Sequence, residues 1–219
     1  MSWLSTETTR IRREFIDLRP MGGNTMIMAD PPWNFSNWSK AGEGKNPSAH
    51  YDCQPLDWIK ALPIEALASK NAVLWLWATN PMLPQALEVM AAWGFTFKTA
   101  GTWVKRTTTN QLDAFGTGYI LRSSNEPFLI GTIGKPKTSR GVRSTVASYT
   151  RDNQGIETWP APIITIEAAL GGHSEKPKEA FKAAEKLCGD CHRIEVFSRT
   201  NRQGWSAWGD EAGILDAVA

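Results

Sequence analysis

The chain has 219 residues, enough for one α/β domain with a full core. A hydrophobic content of 42% and a charged content of 21% are those of an ordinary globular protein, which excludes a disordered or fibrous chain. The net charge of +2 excludes a polybasic coat, so nucleic-acid contact would have to come from local clustering, and no apolar run reaches the length of a membrane span.

Residues 1–20 carry Arg10, Arg12, Arg13, Asp17 and Arg19 and no long apolar run, so they do not read as a secretory signal. The expected compartment is the cytoplasm, or the interior of a host cell. The chain has eleven Trp, most of them expected in the core. No internal repeat or low-complexity tract is visible.

Residues 25–33, Thr-Met-Ile-Met-Ala-Asp-Pro-Pro-Trp, read as a short apolar strand ending at Asp30. Pro31 and Pro32 lack backbone N–H groups and cannot extend a sheet ladder. The strand therefore presents the Asp30 carboxylate at its C-terminal edge, where open α/β sheets bind ligands. Asp30 and the Pro31 carbonyl could accept the two N–H groups of an adenine's exocyclic amine, with Trp33 stacking on the ring. Held in that way, the amine lone pair points at an electrophile such as a sulfonium methyl, and positioning supplies much of the catalysis. The alternative is a strand followed by a turn, with Asp30 capping the next helix.

Residues 34–55 are polar and rich in Gly, Ser, Asn and Lys, a long loop expected to flank the base pocket. The 56–69 stretch has helical apolar spacing interrupted by Pro63. Residues 73–79 form a buried parallel-type strand, 81–93 a helix ending at Gly94, and 96–105 the next strand. Strand, helix, strand at this spacing predicts βαβ units and a doubly wound sheet. Residues 107–118 are polar and are expected on the substrate side, and 127–133 form a further strand.

The 135–159 segment is the most basic part of the chain. Lys135, Lys137, Arg140, Arg143 and Arg151 meet no acid before Asp152, a composition suited to phosphate contact by a loop. A solvated insert is the alternative. A strand over 162–170, a turn over 171–177 and a helix over 178–187 follow. Cys188-Gly189-Asp190-Cys191-His192 matches a haem-attachment pattern, but without an export signal or a second ligand pair it reads as a helix-to-strand turn, and no metal is expected. The last strong strand spans 192–199, and a short terminal helix is expected after Glu211.

Asp-Pro-Pro-Trp after a hydrophobic strand resembles the amino-methyltransferase signature. Five further stretches follow in the same order as in the MT-A70 adenine-N6 methyltransferases: residues 73–79, 93–95, 102–105, 116–119 and 174–177; a sixth is 195–199. The resemblance covers about residues 25 to 212. It implies one Rossmann-like class I methyltransferase domain over 1–219, with a doubly wound, mostly parallel sheet flanked by helices. Substrate-side inserts fall at 34–55, 107–118 and 135–159. The catalytic strand precedes the cofactor strand, the permuted order of β-type amino-methyltransferases.

The resemblance also implies roles. S-adenosylmethionine is the cofactor and S-adenosylhomocysteine the product. Asp30, Pro31, Pro32 and Trp33 form the catalytic tetrad. Lys176 grips the cofactor carboxylate, while Asp30, Phe197, Arg199 and Asn201 line the cofactor edge. Asp210 and Glu211 stand where relatives have Asn-Glu or Asn-Gln on the ribose and adenine, and Ser198 stands where they often have Gly or Ala. Tyr51, Trp77, Lys105, Asn125 and Glu126 fall on the substrate side, joined by the basic Lys135, Lys137, Arg140 and Arg143. The implied reaction is methylation of adenine N6 in DNA, with RNA as the alternative substrate and an inactive nucleic-acid-binding subunit as the alternative role. The compact chain resembles the bacterial or phage members, acting as a monomer or homodimer.

Overall fold

The computed structural model describes residues 3–34, 53–106, 120–142, 144, 166–169 and 176–209. Its centre is β1 (Asn24–Ala29), whose residues are apolar in both directions because helices cover both faces. Ile27 and Ala29 point into one core and Met26 and Met28 into the other, all essentially fully buried. β2 (Ala68–Trp77) lies parallel to β1 on one side and β6 (Arg193–Val196) on the other. β7 (Ser206–Trp208) adds to β6, while β4 (Asn125–Ile133), β3 (Thr96–Arg106) and β5 (Ile166–Ala169) extend the sheet beyond β2.

The resulting seven-stranded order is β5-β3-β4-β2-β1-β6-β7. Six strands run one way and β4 runs against them, pairing antiparallel with both β2 and β3. α1 (Trp3–Leu18), α2 (Leu56–Ala61) and α3 (Leu83–Ala92) pack on one face, and α4 (Lys178–Cys188) covers the other. This is the doubly wound, mostly parallel α/β sheet expected from the sequence. Chain order reverses between β1 and β6, so the switch point where such sheets open a ligand crevice lies at their C-terminal ends.

Several boundaries differ from expectation for identifiable reasons. The helical stretch at 56–69 splits at Pro63 into α2 and a 3-10 turn (Ile64–Ala66), since Pro63 cannot donate within a continuing helix. The first turn of the 81–93 helix is likewise 3-10 (Asn80–Met82). Of the strand expected over 162–170, β5 occupies Ile166–Ala169.

Two elements were not expected. α1 carries three arginines, and its buried stripe is narrow, with Ile11 and Phe15 fully inside. β7 has three residues. The two elements hold each other: the Phe15 ring meets Trp208 edge-on at 4.9 Å, and the Trp208 indole N–H donates to Glu14 at 3.0 Å.

The entry into β1 depends on Gly23, which has φ +82 and whose backbone lies against that of Ala68. A methyl group there would meet the Ala68 carbonyl oxygen at 2.6 Å, with a strained φ as well. Gly23→Ala is expected to destabilise the fold by about 2 kcal/mol or more. Denaturant unfolding of the variant beside the parent checks this, and equal midpoints would count against it.

Candidate active site

β1 ends at Asp30 because Pro31 and Pro32 follow, and the Asp30 backbone N–H reaches the Val196 carbonyl of β6 at 3.4 Å. The carboxylate therefore sits at the switch point. Lys176, just before α4, places its ammonium 2.5 Å from Asp30 Oδ2 and 2.9 Å from Glu126 Oε1. Lys105, near the end of β3, closes on the other Glu126 oxygen at 2.8 Å. Four side chains thus form a row of alternating charge, Asp30, Lys176, Glu126, Lys105. Glu126 is the second residue of β4, and only because β4 runs antiparallel does its beginning meet the ends of β1 and β3.

The row is largely sheltered. The Lys176 side chain is 7% exposed, Glu126 12% and Asp30 22%. Burial pushes the Asp30 carboxyl above its ordinary range, against the pull of Lys176 and with help from the Glu126 charge. Burial also acts upward on Glu126, but Lys176 and Lys105 outweigh it and bring that carboxyl down to about 2. Lys176 resists burial because two carboxylates face it, and its pKa is raised. The two acids sharing one ammonium are therefore unlike: Glu126 is a fixed anion, and Asp30 is the one that binds a proton more readily. The Trp77 ring lies 5.5 Å from the Lys176 ammonium and the Trp103 ring 5.0 Å from that of Lys105.

The turn after β1 is stiff. The Trp33 backbone N–H donates to the Pro31 carbonyl at 2.8 Å, and Gln54 donates to the Pro32 carbonyl at 3.0 Å. The Pro31 oxygen keeps a second lone pair for another donor.

Two expected contact faces are corrected. Trp33 is only 3% exposed: its ring packs in the core on the α1–α3 side and its indole N–H donates to the Trp77 carbonyl at 3.1 Å. It anchors the turn and does not offer an open stacking face. Trp77 is fully buried among Trp75, Trp103 and Phe128, so it supports Lys176 from below instead of meeting substrate.

The basic segment starts away from the site, although Ser144 further along it returns to β3, its carbonyl accepting the Thr102 N–H at 3.2 Å. β4 leaves the sheet at the edge opposite Asp30, so Lys135 emerges beside Asn71, whose side-chain oxygen accepts its N–H at 2.8 Å. Ser139 N–H then bonds the Leu187 carbonyl, at the end of α4 remote from Lys176. Lys135, Lys137 and Arg140 therefore start away from the charged row, and the antiparallel course of β4 is the reason. Arg143, Tyr51, Asp210 and Glu211 lie outside the described residues, as do most of the 34–55 and 107–118 inserts.

On the cofactor side, Phe197 follows β6 with φ +66, the one described non-glycine residue in that region of backbone space. Its ring is held against Trp208 and Trp58 at 5.7 and 6.4 Å. Ser198 is buried. Its N–H donates to the Trp208 carbonyl at 3.0 Å, and its hydroxyl lies 2.9 Å from Glu195 Oε2 and 2.7 Å from the Thr200 carbonyl. Burial raises the Glu195 carboxyl above its ordinary range. Gly209 packs on this turn so closely that a methyl group would meet Ser198 backbone nitrogen at 2.9 Å. Arg199 and Asn201 stand just beyond, half-exposed and exposed.

Glu195 and the Ser198 clasp were not anticipated; a carboxylate between the buried Ile194 and Val196 was the available signal. Asn125 accepts a hydrogen bond from Asn80 at 2.9 Å beside Glu126. Cys188 and Cys191 are free thiols in the turn expected for them, and no metal cluster occurs among the described residues.

A mostly parallel sheet with acids at its switch point, followed by an Asp-Pro-Pro-Trp turn, is the architecture of a Rossmann-like methyltransferase fold. The MT-A70 family description matches residues 24–211, and the chain belongs to that family. It is 26% identical over 202 residues to the Type II methyltransferase M.MunI of a Mycoplasma species, covering 85% of this chain and 76% of that protein. It is also 26% identical over 210 residues to the human N(6)-adenosine-methyltransferase catalytic subunit METTL3 and to a Drosophila melanogaster MT-A70-like protein. Those matches span 93% of this chain but only 30% and 29% of the two eukaryotic proteins. No helix among the described residues is long and apolar enough to cross a membrane.

Glu126→Gln removes the anion shared by two lysines and is expected to destabilise by about 3 kcal/mol at neutral pH. The folded pKa of Glu126 lies below its ordinary 4.5, so its contribution is complete above that pH and is lost as pH falls towards about 2. Unfolding curves of parent and variant should converge across that acid window. A difference that stays constant through it would refute the pairing.

Proposed function

We propose that this chain transfers a methyl group from S-adenosylmethionine to the exocyclic N6 amine of adenine in DNA. The observation that carries the reading is the sheltered Asp30–Lys176–Glu126 row at the β1/β6 switch point. The residues present fit that cofactor: the Asp30 carboxyl at the switch point, ion-paired with Lys176, suits a cationic sulfonium neighbour, and the Phe197–Ser198 turn brings backbone to the crevice. When bound, S-adenosylmethionine supplies an electrophilic methyl group.

The chain's own residues do the rest. Asp30 accepts one N–H of the target amine and the free lone pair of the Pro31 carbonyl accepts the other, which aims the nitrogen lone pair away from both. Lys176 fixes Asp30 in place; two of its three N–H donors face carboxylates, leaving one for the cofactor carboxylate. Glu126 keeps Lys176 charged, and Lys105 keeps Glu126 charged. After transfer the methylated amine carries a positive charge and a surplus proton. Asp30, the more basic of the two acids, is the acceptor for it. Arg199 and Asn201, with Asp210 and Glu211, stand for the cofactor edge.

DNA is favoured because the Mycoplasma relative matches over three quarters of its own length, whereas METTL3 matches over less than a third. The chain is read as a cytoplasmic protein of a bacterium or of a phage in its host. Methyl transfer from labelled cofactor to matched DNA and RNA oligonucleotides tests the substrate; activity on RNA alone would overturn it and leave the chemistry standing.

Asp30→Ala is expected to abolish transfer while the fold survives, because the side chain ends a strand and fills no core position. Near-parental kcat in a folded variant would remove Asp30 from the site. Lys176→Ala takes away the charge that holds the Asp30 pKa down, so the acid limb of the kcat–pH profile should move to higher pH. S-adenosylmethionine binding should weaken as well, by about tenfold. An unmoved limb with intact affinity, measured by calorimetry and steady-state kinetics, would exclude both roles.

A further inference from the structure

The edge that presents Asp30 also carries an exposed apolar pair. Ile120 is 97% exposed and Leu121 82%, among the most exposed large apolar side chains described. They precede β4, whose second residue is Glu126, so they stand at the same sheet edge as the charged row. The chain between is tied down. Lys105 N–H donates to the Ser124 carbonyl at 2.8 Å, Asn80 donates to Ser123 Oγ at 3.4 Å, and the Ser123 hydroxyl donates to the Asn125 carbonyl at 3.1 Å. The segment that follows the apolar pair is thus tied by polar bonds to β3 and to the turn after β2. Arg122 sets a positive charge beside it.

We propose that Ile120 and Leu121 form a wedge that enters the base stack of duplex DNA and fills the space left by the adenine delivered to Asp30. The inference rests on the methyltransferase reading above and names the element that makes a stacked base reachable. A base inside a duplex cannot bring its amine to a carboxylate buried at a sheet edge without leaving the stack. The hole it leaves has two apolar walls, the faces of the neighbouring bases. Two branched side chains with almost all their surface in water lose that surface on entering it, and the gain offsets the unstacking. The cation beside them complements the phosphates that flank such a gap.

The test compares the full chain with an Ile120→Ala/Leu121→Ala variant, using labelled S-adenosylmethionine and one adenine-containing DNA sequence as duplex and as single strand. The variant should lose about tenfold or more in rate on the duplex, since unstacking is no longer offset. Its rate on the single strand, its affinity for S-adenosylmethionine and its unfolding midpoint should match the parent. A duplex with 2-aminopurine at the target should brighten with the parent and not with the variant. Ile120→Ser/Leu121→Ser, at positions that contribute nothing to the core, should behave alike. An equal loss on both DNA forms, or none on the duplex, would overturn the wedge and leave the methyltransferase reading in place. No transfer by the parent to either form would overturn that reading, and the wedge with it.

Discussion

The arrangement depends on one ammonium group placed between two carboxylates. Lys176 lies within hydrogen-bond reach of Asp30 and Glu126, and neither acid would be tolerated in that sheltered place without it. The cation brings two anions to one edge, and Lys105 balances the second of them. Because Lys105 bonds Glu126 and acts on Asp30 only from a distance, the two acids end up unequal, one pinned as an anion and one ready for a proton. A symmetric pair would have divided a single proton between them; here the environment assigns it.

The topology exists to bring these groups together. Parallel strands deliver their C-terminal ends to one edge, which accounts for Asp30 and Lys105. Glu126 needs a strand that starts there, and β4 supplies it by running against its neighbours. The same reversal sends Lys135 to the far side. One strand direction therefore places Glu126 in the charged row and the first basic residue after β4 away from it.

Much of this was legible in the chain. Asp30 could be placed because two prolines end a strand abruptly, and Lys176 and Glu126 because their neighbours match a known order of motifs. The doubly wound sheet followed from apolar runs alternating with helical spacing. What stayed hidden has physical causes. An apolar run buried on both faces looks the same whether its strand is parallel or antiparallel, so the direction of β4 could not be read, nor that Lys135 starts from the edge opposite Asp30. The burial of Trp33 depends on a carbonyl 44 residues away, which no local pattern reveals. α1 shows a narrow apolar stripe under three arginines, and β7 is too short to carry a period.

Lys176 and Asp30 are 146 residues apart in the chain, and β1 waits for β6 on one of its two sides. Pairings across so much chain carry a large loop-closure cost and form late. During synthesis the first acid leaves the ribosome long before its cation does, so a partly made chain can hold the first three helices and β2 against β1 without any site. The charged row in this protein therefore assembles late, once the segment that carries Lys176 has reached β1.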